Sequence, residues 1–225
     1  MKIIAHIETD FTTKFGIPRQ SGIIAEAEGR IIFEKEYRVK EAFRELEGFS
    51  HIWILWQFSE AVREDWSPTV RPPMLGGNKR VGVFATRSPF RPNNIGLSAV
   101  KLEKIEYTED LGPVLYVKGA DLMNGTPIYD IKPYLPFADS IPDAVGGFAD
   151  KTEDRTLSVS YPEELLAKIP QKKRELLKAI LADDPRPTYK TDSDREYGFA
   201  FAGFEIGFTV KDGLLTVTRT DRQAH

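Results

Sequence analysis

The chain has 225 residues, 41% of them hydrophobic and 29% charged, with a formal net charge of −3 and no cysteine. That length can bury a core in one large domain or in one domain with a smaller appendage, and the composition is that of a soluble globular protein. The missing cysteines exclude disulfides, thiolate zinc sites, iron–sulfur clusters and a cysteine nucleophile. The longest dense apolar run, residues 51–58, is too short to span a bilayer, and Glu8 and Asp10 interrupt any signal-peptide core, so the sequence reads as cytoplasmic.

Taken in order, residues 2–9 alternate loosely and carry Ile3, Ile4 and Ile7, which predicts a first strand, followed by a loop from Phe11 to Gln20. Residues 22–27 and 30–37 are apolar-alternating runs around Glu28-Gly29, the pattern of a hairpin with glycine in the turn. Val39, Ala42, Phe43 and Leu46 fall at helical spacing ahead of Gly48 and predict a short helix over 39–47. Residues 51–58 read as a strand buried on both sides, since isoleucine, tryptophan and leucine occupy both faces. From Ser59 to Arg80 the chain is punctuated by Pro68, Pro72, Pro73, Gly76 and Gly77 and reads as a long loop, a place where ligand contacts concentrate.

Residues 81–85 predict a strand, 86–94 a loop, and 97–107 a strand that sends Leu97, Val100 and Ile105 inward; 114–117 and 128–131 continue the series. Six or more short strands with few helices imply an antiparallel-rich barrel or a closed sandwich. The Pro-, Gly- and Ala-rich stretch up to Phe148 marks a boundary between a unit over 1–145 and a smaller α+β unit over 146–225. In the second unit, Ser160-Tyr-Pro-Glu163 has the form of a capping box ahead of Leu165, Leu166 and Ile169. Leu176, Leu177, Ile180 and Leu181 stripe a further helix that ends at Asp183-Asp-Pro-Arg-Pro187, and residues 197–210 and 214–220 around Asp212-Gly213 form a predicted hairpin.

No dinucleotide fingerprint, phosphate-binding P-loop or hydrolase nucleophile elbow is present. His6, His51 and His225 lack metal-ligand spacing, so no metal is expected, and packing or hydrogen bonding is the ordinary role for the first two. The anomaly is one of charge. From Trp66 to Lys101 there is no Asp or Glu, while Arg71, Lys79, Arg80, Arg87, Arg91 and Lys101 give the segment +6 inside an acidic chain. A reversal of that size raises self-repulsion without helping the fold, and suggests a surface that meets an anion. Pro89 and Pro92 stiffen the loop that carries Arg87 and Arg91, whose forked guanidinium groups match carboxylate or phosphate. The plain alternative is that both arginines pair with Glu41, Glu45 or Glu47. Asn93 and Asn94 suit either a base edge or a turn, and Trp53, Trp56 and Phe58 suit either base stacking or a core.

The run Gly82-Val-Phe-Ala-Thr-Arg-Ser-Pro-Phe-Arg-Pro-Asn-Asn-Ile-Gly96 follows Pro68-Thr-Val-Arg-Pro-Pro73 and Leu75-Gly-Gly-Asn78. With residues 47–55, Asp121-Leu-Met-Asn-Gly-Thr-Pro127, Asp130-Ile-Lys-Pro-Tyr134 and Asp184-Pro-Arg-Pro187 in the same order, it resembles the TsaA-like (TrmO) family of tRNA methyltransferases. The resemblance implies a mainly β fold in which an N-terminal closed β-barrel binds S-adenosylmethionine and a small α+β domain follows. It also implies a homodimer, and methylation of the exocyclic amine of N(6)-threonylcarbamoyladenosine beside the tRNA anticodon. Carried over by residue, the cofactor site involves Gln20, Ser21, Gly22, Ser59, Glu60, Arg87, Leu97, Asp121, Leu122, Met123 and Asn124. Asn124 stands where members often have Asp, Ser59-Glu60 where they often have His-Gln, and Asn94 where they often have Pro.

Methyl transfer from a sulfonium is a direct displacement, so alignment matters more than a nucleophilic side chain. The acceptor nitrogen bears a carbonyl and benefits from a proton acceptor, for which Asp121, Asp130 and Tyr134 are unranked candidates. Arg87 is expected to meet either the methionine carboxylate or the threonyl carboxylate, Leu97 to pack on the adenosyl group, and Arg71, Lys79, Arg80 and Arg91 to hold tRNA phosphates. A noncatalytic RNA- or nucleotide-binding barrel with S-adenosylmethionine as effector is the rival expectation.

Overall fold

A computed structural model describes residues 1–61, 65–72, 75, 79–151, 156–186 and 195–223. Pro73, Gly76, Gly77, Asn78, Pro187 and His225 of the sequence reading lie outside these residues.

Six antiparallel strands close into a barrel in the order β1-β2-β7-β6-β3-β8. They are β1 (Ala5–Thr9), β2 (Glu28–Phe33), β3 (His51–Gln57), β6 (Ile95–Thr108), β7 (Gly112–Lys118) and β8 (Thr126–Pro133). Between β3 and β6, β4 (Thr69–Val70) and β5 (Val81–Gly82) pair only with each other as a short ribbon outside the barrel. Period-two alternation fills the barrel: Ile52, Ile54 and Trp56 of β3 point inward beside Val100 and Leu102 of β6, Leu115 and Val117 of β7, and Ile128 of β8. Closure leaves no free sheet edge.

The second half holds β9 (Ser158–Ser160), β10 (Tyr197–Phe201), β11 (Phe204–Lys211) and β12 (Leu214–Arg222) in a sheet ordered β10-β11-β12-β9. Helices α1 (Pro136–Asp139) and α2 (Glu163–Leu166) are short, and α3 (Gln171–Ala182) covers the sheet. The predicted stripe Leu176, Leu177, Ile180 and Leu181 is buried there against Phe199, Phe208, Leu215 and Val217. Phe11, Ile24 and Ala27, from the loop between β1 and β2, are buried in this same second cluster.

That loop explains one correction. Residues 22–27 are not half of a hairpin with 30–37, because Ile24 and Ala27 are drawn into the second core and the alternation serves a loop. Gly29 is instead a strand residue opposite Thr9 and Val117, where a Cβ would meet Ile7 Cδ1 at 2.8 Å. Residues 39–47 form two separate 3₁₀ turns, Lys40–Phe43 and Leu46–Gly48, since Glu45 between them takes a left-handed φ of 68° that ends any continuous helix. Strand β3 is fully buried on one face only: His51 is exposed and Trp53, Leu55 and Gln57 are half-buried.

Residues 81–85 are not a barrel strand, because Val83–Ala85 turn as a 3₁₀ helix after two ribbon residues. Leu97 is 49% exposed rather than in the core, since the inward positions of β6 are Gly96, Ser98 and Val100. Ser160 closes β9 and Pro162 stands at the N-cap of α2 without a side-chain cap, so no capping box forms. Residues 197–210 are themselves a hairpin turning at Ala202-Gly203 with φ of 49° and 81°; the predicted Asp212-Gly213 turn follows with 49° and 78°. None of the helices among the described residues is long and apolar enough to cross a membrane.

Candidate cofactor cleft and its basic rim

The arginine loop folds over the end of the barrel where β3 and β6 emerge. Phe58 N–H donates to Asn94 O at 3.1 Å and the Asn94 side-chain amide donates back to Phe58 O at 3.3 Å, which stitches the loop to the end of β3. Arg91 donates to Val83 O at 3.1 Å and Thr86 O at 2.6 Å, so this guanidinium holds the loop's own backbone. Together with the first loop and the Ser59–Ala61 turn, it encloses a cleft of about 760 Å³.

Gln20, Ser59, Glu60, Arg87, Leu97, Asp121 and Met123 line this cleft, joined by Trp56, Phe58, Gly96 and Arg91. Ser21, Gly22, Leu122 and Asn124, also expected at the cofactor site, are not among the residues that line the cleft. Ser21 Oγ accepts from Ala99 N–H at 3.2 Å, and Gly22 N–H donates to Gly119 O at 2.9 Å, which seats the first loop on β6 and β7. Leu122 is buried, and Asn124 accepts from Thr9 N–H at 3.1 Å while its own N–H donates to Phe11 O at 2.7 Å. An amide serves that tie without introducing a charge. Asp130 pairs with Lys132 at 2.9 Å, and Tyr134 packs on Trp53 with ring centroids 5.5 Å apart; neither lines the cleft.

Asp121 is half-buried at the cleft wall and receives a hydrogen bond from Ser98 Oγ at 2.6 Å. Ser98, fully buried, in turn accepts from Trp56 Nε1 at 2.9 Å. Burial pushes the Asp121 carboxyl above the usual aspartate range, against the opposing pull of Ser98, backbone N–H groups and the Arg87 charge. The Trp56–Ser98 relay was missed at the sequence level; its one visible signal is a serine in an inward strand position between Gly96 and Val100.

Arg87 hydrogen-bonds Gln20 across the cleft mouth, and neither Arg87 nor Arg91 pairs with a carboxylate among the described residues. Arg71, Lys79 and Arg80 are exposed on or beside the ribbon, where Arg80 donates to Thr69 Oγ1 at 2.6 Å. Lys101 belongs elsewhere, paired with Glu103 at 2.5 Å. His6 pairs with Glu34 at 2.9 Å and His51 Nδ1 lies 3.0 Å from Ser50 Oγ. No group of three or more metal-ligating side chains occurs among the described residues. A second cleft, of about 610 Å³, is lined by mutually paired charges such as Arg30 with Glu8 and Lys118 with Glu103.

The donor set fits an adenosyl sulfonium. Trp56, Phe58, Leu97 and Met123 offer apolar walls, Asp121 and Glu60 offer carboxylates, and Arg87 offers a cation at the mouth. Against that geometry, the family model for the tRNA-methyltransferase O N-terminal domain matches residues 6–140 and that for the TrmO C-terminal domain matches residues 154–223. The chain belongs to the tRNA-methyltransferase O family.

Its relatives in that family include the Escherichia coli tRNA (adenine(37)-N6)-methyltransferase, 40% identical over 217 residues, which cover 93% of this chain and 92% of that one. The Eikenella corrodens protein of the same name is 47% identical over 170 residues, 75% of this chain and 95% of the relative. A crystal structure of TrmO from Pseudomonas aeruginosa superposes with a TM-score of 0.76 at 32% identity, covering 97% of this chain and 96% of that one. The closed barrel and the α+β region after it are thus shared with that structure.

Proposed function

We propose that this protein methylates the exocyclic amine of N(6)-threonylcarbamoyladenosine at position 37 of tRNA, with the cleft under the arginine loop as its cofactor and acceptor site. It is an S-adenosylmethionine-dependent tRNA (adenine(37)-N6)-methyltransferase; the threonylcarbamoyl acceptor and the residue roles are the proposed part. Bound in the cleft, S-adenosylmethionine supplies a methyl group on a sulfonium, open to direct displacement. The observation that carries the reading is the meeting of Asp121, Arg87 and an apolar wall in one cleft.

Leu97, Trp56 and Phe58 exclude water and hold the adenosyl end, while Glu60 supplies a carboxylate that favours the cationic sulfonium. Arg87, steadied by Gln20, binds a carboxylate, either of the methionyl end or of the threonyl group. Asp121 takes the proton from the acceptor nitrogen, and burial raises its affinity for that proton above the ordinary aspartate range. Asp130 and Tyr134 are not needed for that role, since they lie away from the cleft. Arg71, Lys79 and Arg80 receive phosphates, and Arg91 acts chiefly by shaping the loop.

The reading takes residues 1–145 as the binding barrel and 146–225 as a supporting domain, with a homodimer working in the cytoplasm. The barrel cluster lies wholly within residues 1–145, while the second cluster also takes in Phe11, Ile24 and Ala27 of the first loop; sedimentation checks the dimer. A methyl-transfer assay on threonylcarbamoyl-modified and unmodified tRNA tests the whole. Incorporation confined to the modified tRNA is expected. Cofactor binding without any incorporation would favour the noncatalytic barrel instead.

A further inference from the structure

Beside the cleft, the basic surface carries two large exposed rings that the proposed chemistry does not use. Phe84 is 69% exposed and Trp66 47% exposed. Their ring centroids lie 6.0 Å apart with planes inclined by 26°. The Arg91 guanidinium sits 5.5 Å from the Phe84 centroid, and Arg91 also lines the cleft, so the rings adjoin its entrance. They are held in place by the surrounding backbone. Ser67 N–H donates to Phe90 O at 3.1 Å, Val83 N–H donates to Pro68 O at 3.0 Å, and the ribbon pairs Thr69 with Gly82 and Val70 with Val81.

Two adjacent exposed rings within a basic surface form the kind of contiguous apolar patch that marks a binding site. The cover must be flat, to match the rings, and anionic, to match Arg71, Lys79 and Arg80, which outnumber Glu64 and Asp65 just before Trp66. A single-stranded nucleic acid meets both demands, since its bases stack on aromatic side chains while its phosphates meet lysine and arginine. We infer that Trp66 and Phe84 form a stacking platform for an unpaired nucleobase of the tRNA loop, a neighbour of the adenosine that enters the cleft. The inference rests on the tRNA-methylating reading above. By gripping a neighbouring base, the platform would hold the loop open and present the acceptor amine to Asp121.

The test uses an anticodon stem-loop RNA with 2-aminopurine beside the target adenosine, and full-length protein. Wild-type protein is expected to quench the fluorescence on binding. Phe84→Ala is expected to lose the quench and bind the RNA about ten- to a hundredfold more weakly. Phe84→Tyr should retain both, and S-adenosylmethionine titrations should be the same for all three, because Phe84 does not line the cleft. Trp66→Ala provides a second, independent variant, and unchanged melting temperatures exclude a folding defect. Undiminished quench and RNA affinity in both alanine variants would overturn the platform; a drop in sedimentation mass alongside would assign the rings to a second copy of the chain. Wild-type protein that neither binds nor methylates tRNA would instead remove the functional reading on which the platform stands.

Discussion

Asp121 illustrates how one carboxylate is set by its neighbours. Burial raises its proton affinity, while Ser98, backbone N–H groups and Arg87 work in the other direction. Because the folded-state value lies above the unfolded one, the stability contribution is full below the ordinary aspartate value, about pH 4, and is lost as pH rises through the raised value. Asparagine has no such loss. Asp121→Asn is therefore expected to melt higher relative to wild type at neutral pH than at acid pH, while methyl transfer collapses; equal differences at both pH values would contradict the burial argument. Ser98→Ala removes a donor that lowers the carboxyl's affinity for protons, so the acid limb of the rate profile should move to higher pH. For Arg87→Ala, loss of a charged hydrogen-bonding partner is worth about 1.5–3 kcal/mol, roughly ten- to a hundredfold in affinity. Titration with cofactor and with modified tRNA shows which ligand loses it, and unchanged curves for both would sink the assignment.

At the level of elements, β3 and β6 make the site by close approach. A Cβ on Gly96 would meet Trp56 Cε2 at 2.2 Å, so only glycine lets the indole lie flat and aim Nε1 at Ser98. Overpacking there should cost about 1–3 kcal/mol, so Gly96→Ala is expected to lower both the melting temperature and the methyl-transfer rate. A variant of wild-type stability and rate would show that the indole's position is immaterial. Strands β3, β6, β7 and β8 and helix α3 were legible in the sequence because each carries its own period of apolar residues. The stretch at 22–27 was not, since its apolar residues answer to a core built from residues far along the chain. Glu45 broke a helical pattern by a backbone angle that side-chain spacing does not encode. The arginine loop stood out by charge alone, yet its division into a cleft cation, a loop staple and rim cations depends on hydrogen bonds that no pattern prints. Trp56 and Ser98 are 42 residues apart, and only strand pairing brings them together.

Across the whole molecule, the first loop belongs to both halves. Lys173 of α3 pairs with Asp10 at 2.7 Å and Glu28 at 3.2 Å, at the two ends of the loop. Arg19 donates to Asp184 O at 2.8 Å, and Ala202 N–H donates to Asp10 O at 3.2 Å. The same loop brings Gln20 to the cleft and Ser21 to β6. Damage to the second core should therefore reach the cofactor. Leu177→Ala, deep in that core, is expected to cost roughly 2–5 kcal/mol of stability and also to weaken S-adenosylmethionine binding, although Leu177 does not line the cleft. Calorimetry on the still-folded variant reads this, and unaltered affinity would show that the loop holds its place without the second core.

The loop's dual allegiance also fixes an order of events during synthesis. Every barrel strand has been made once Pro133 is joined, and domains generally begin folding as they leave the ribosome. The cluster that buries Phe11 and Ile24, however, includes Leu215 and Val217, which are made well after the last barrel strand. The barrel can thus close early around an entrance that is still unfinished, and the nascent chain acquires its complete cofactor rim only once the second core has been made.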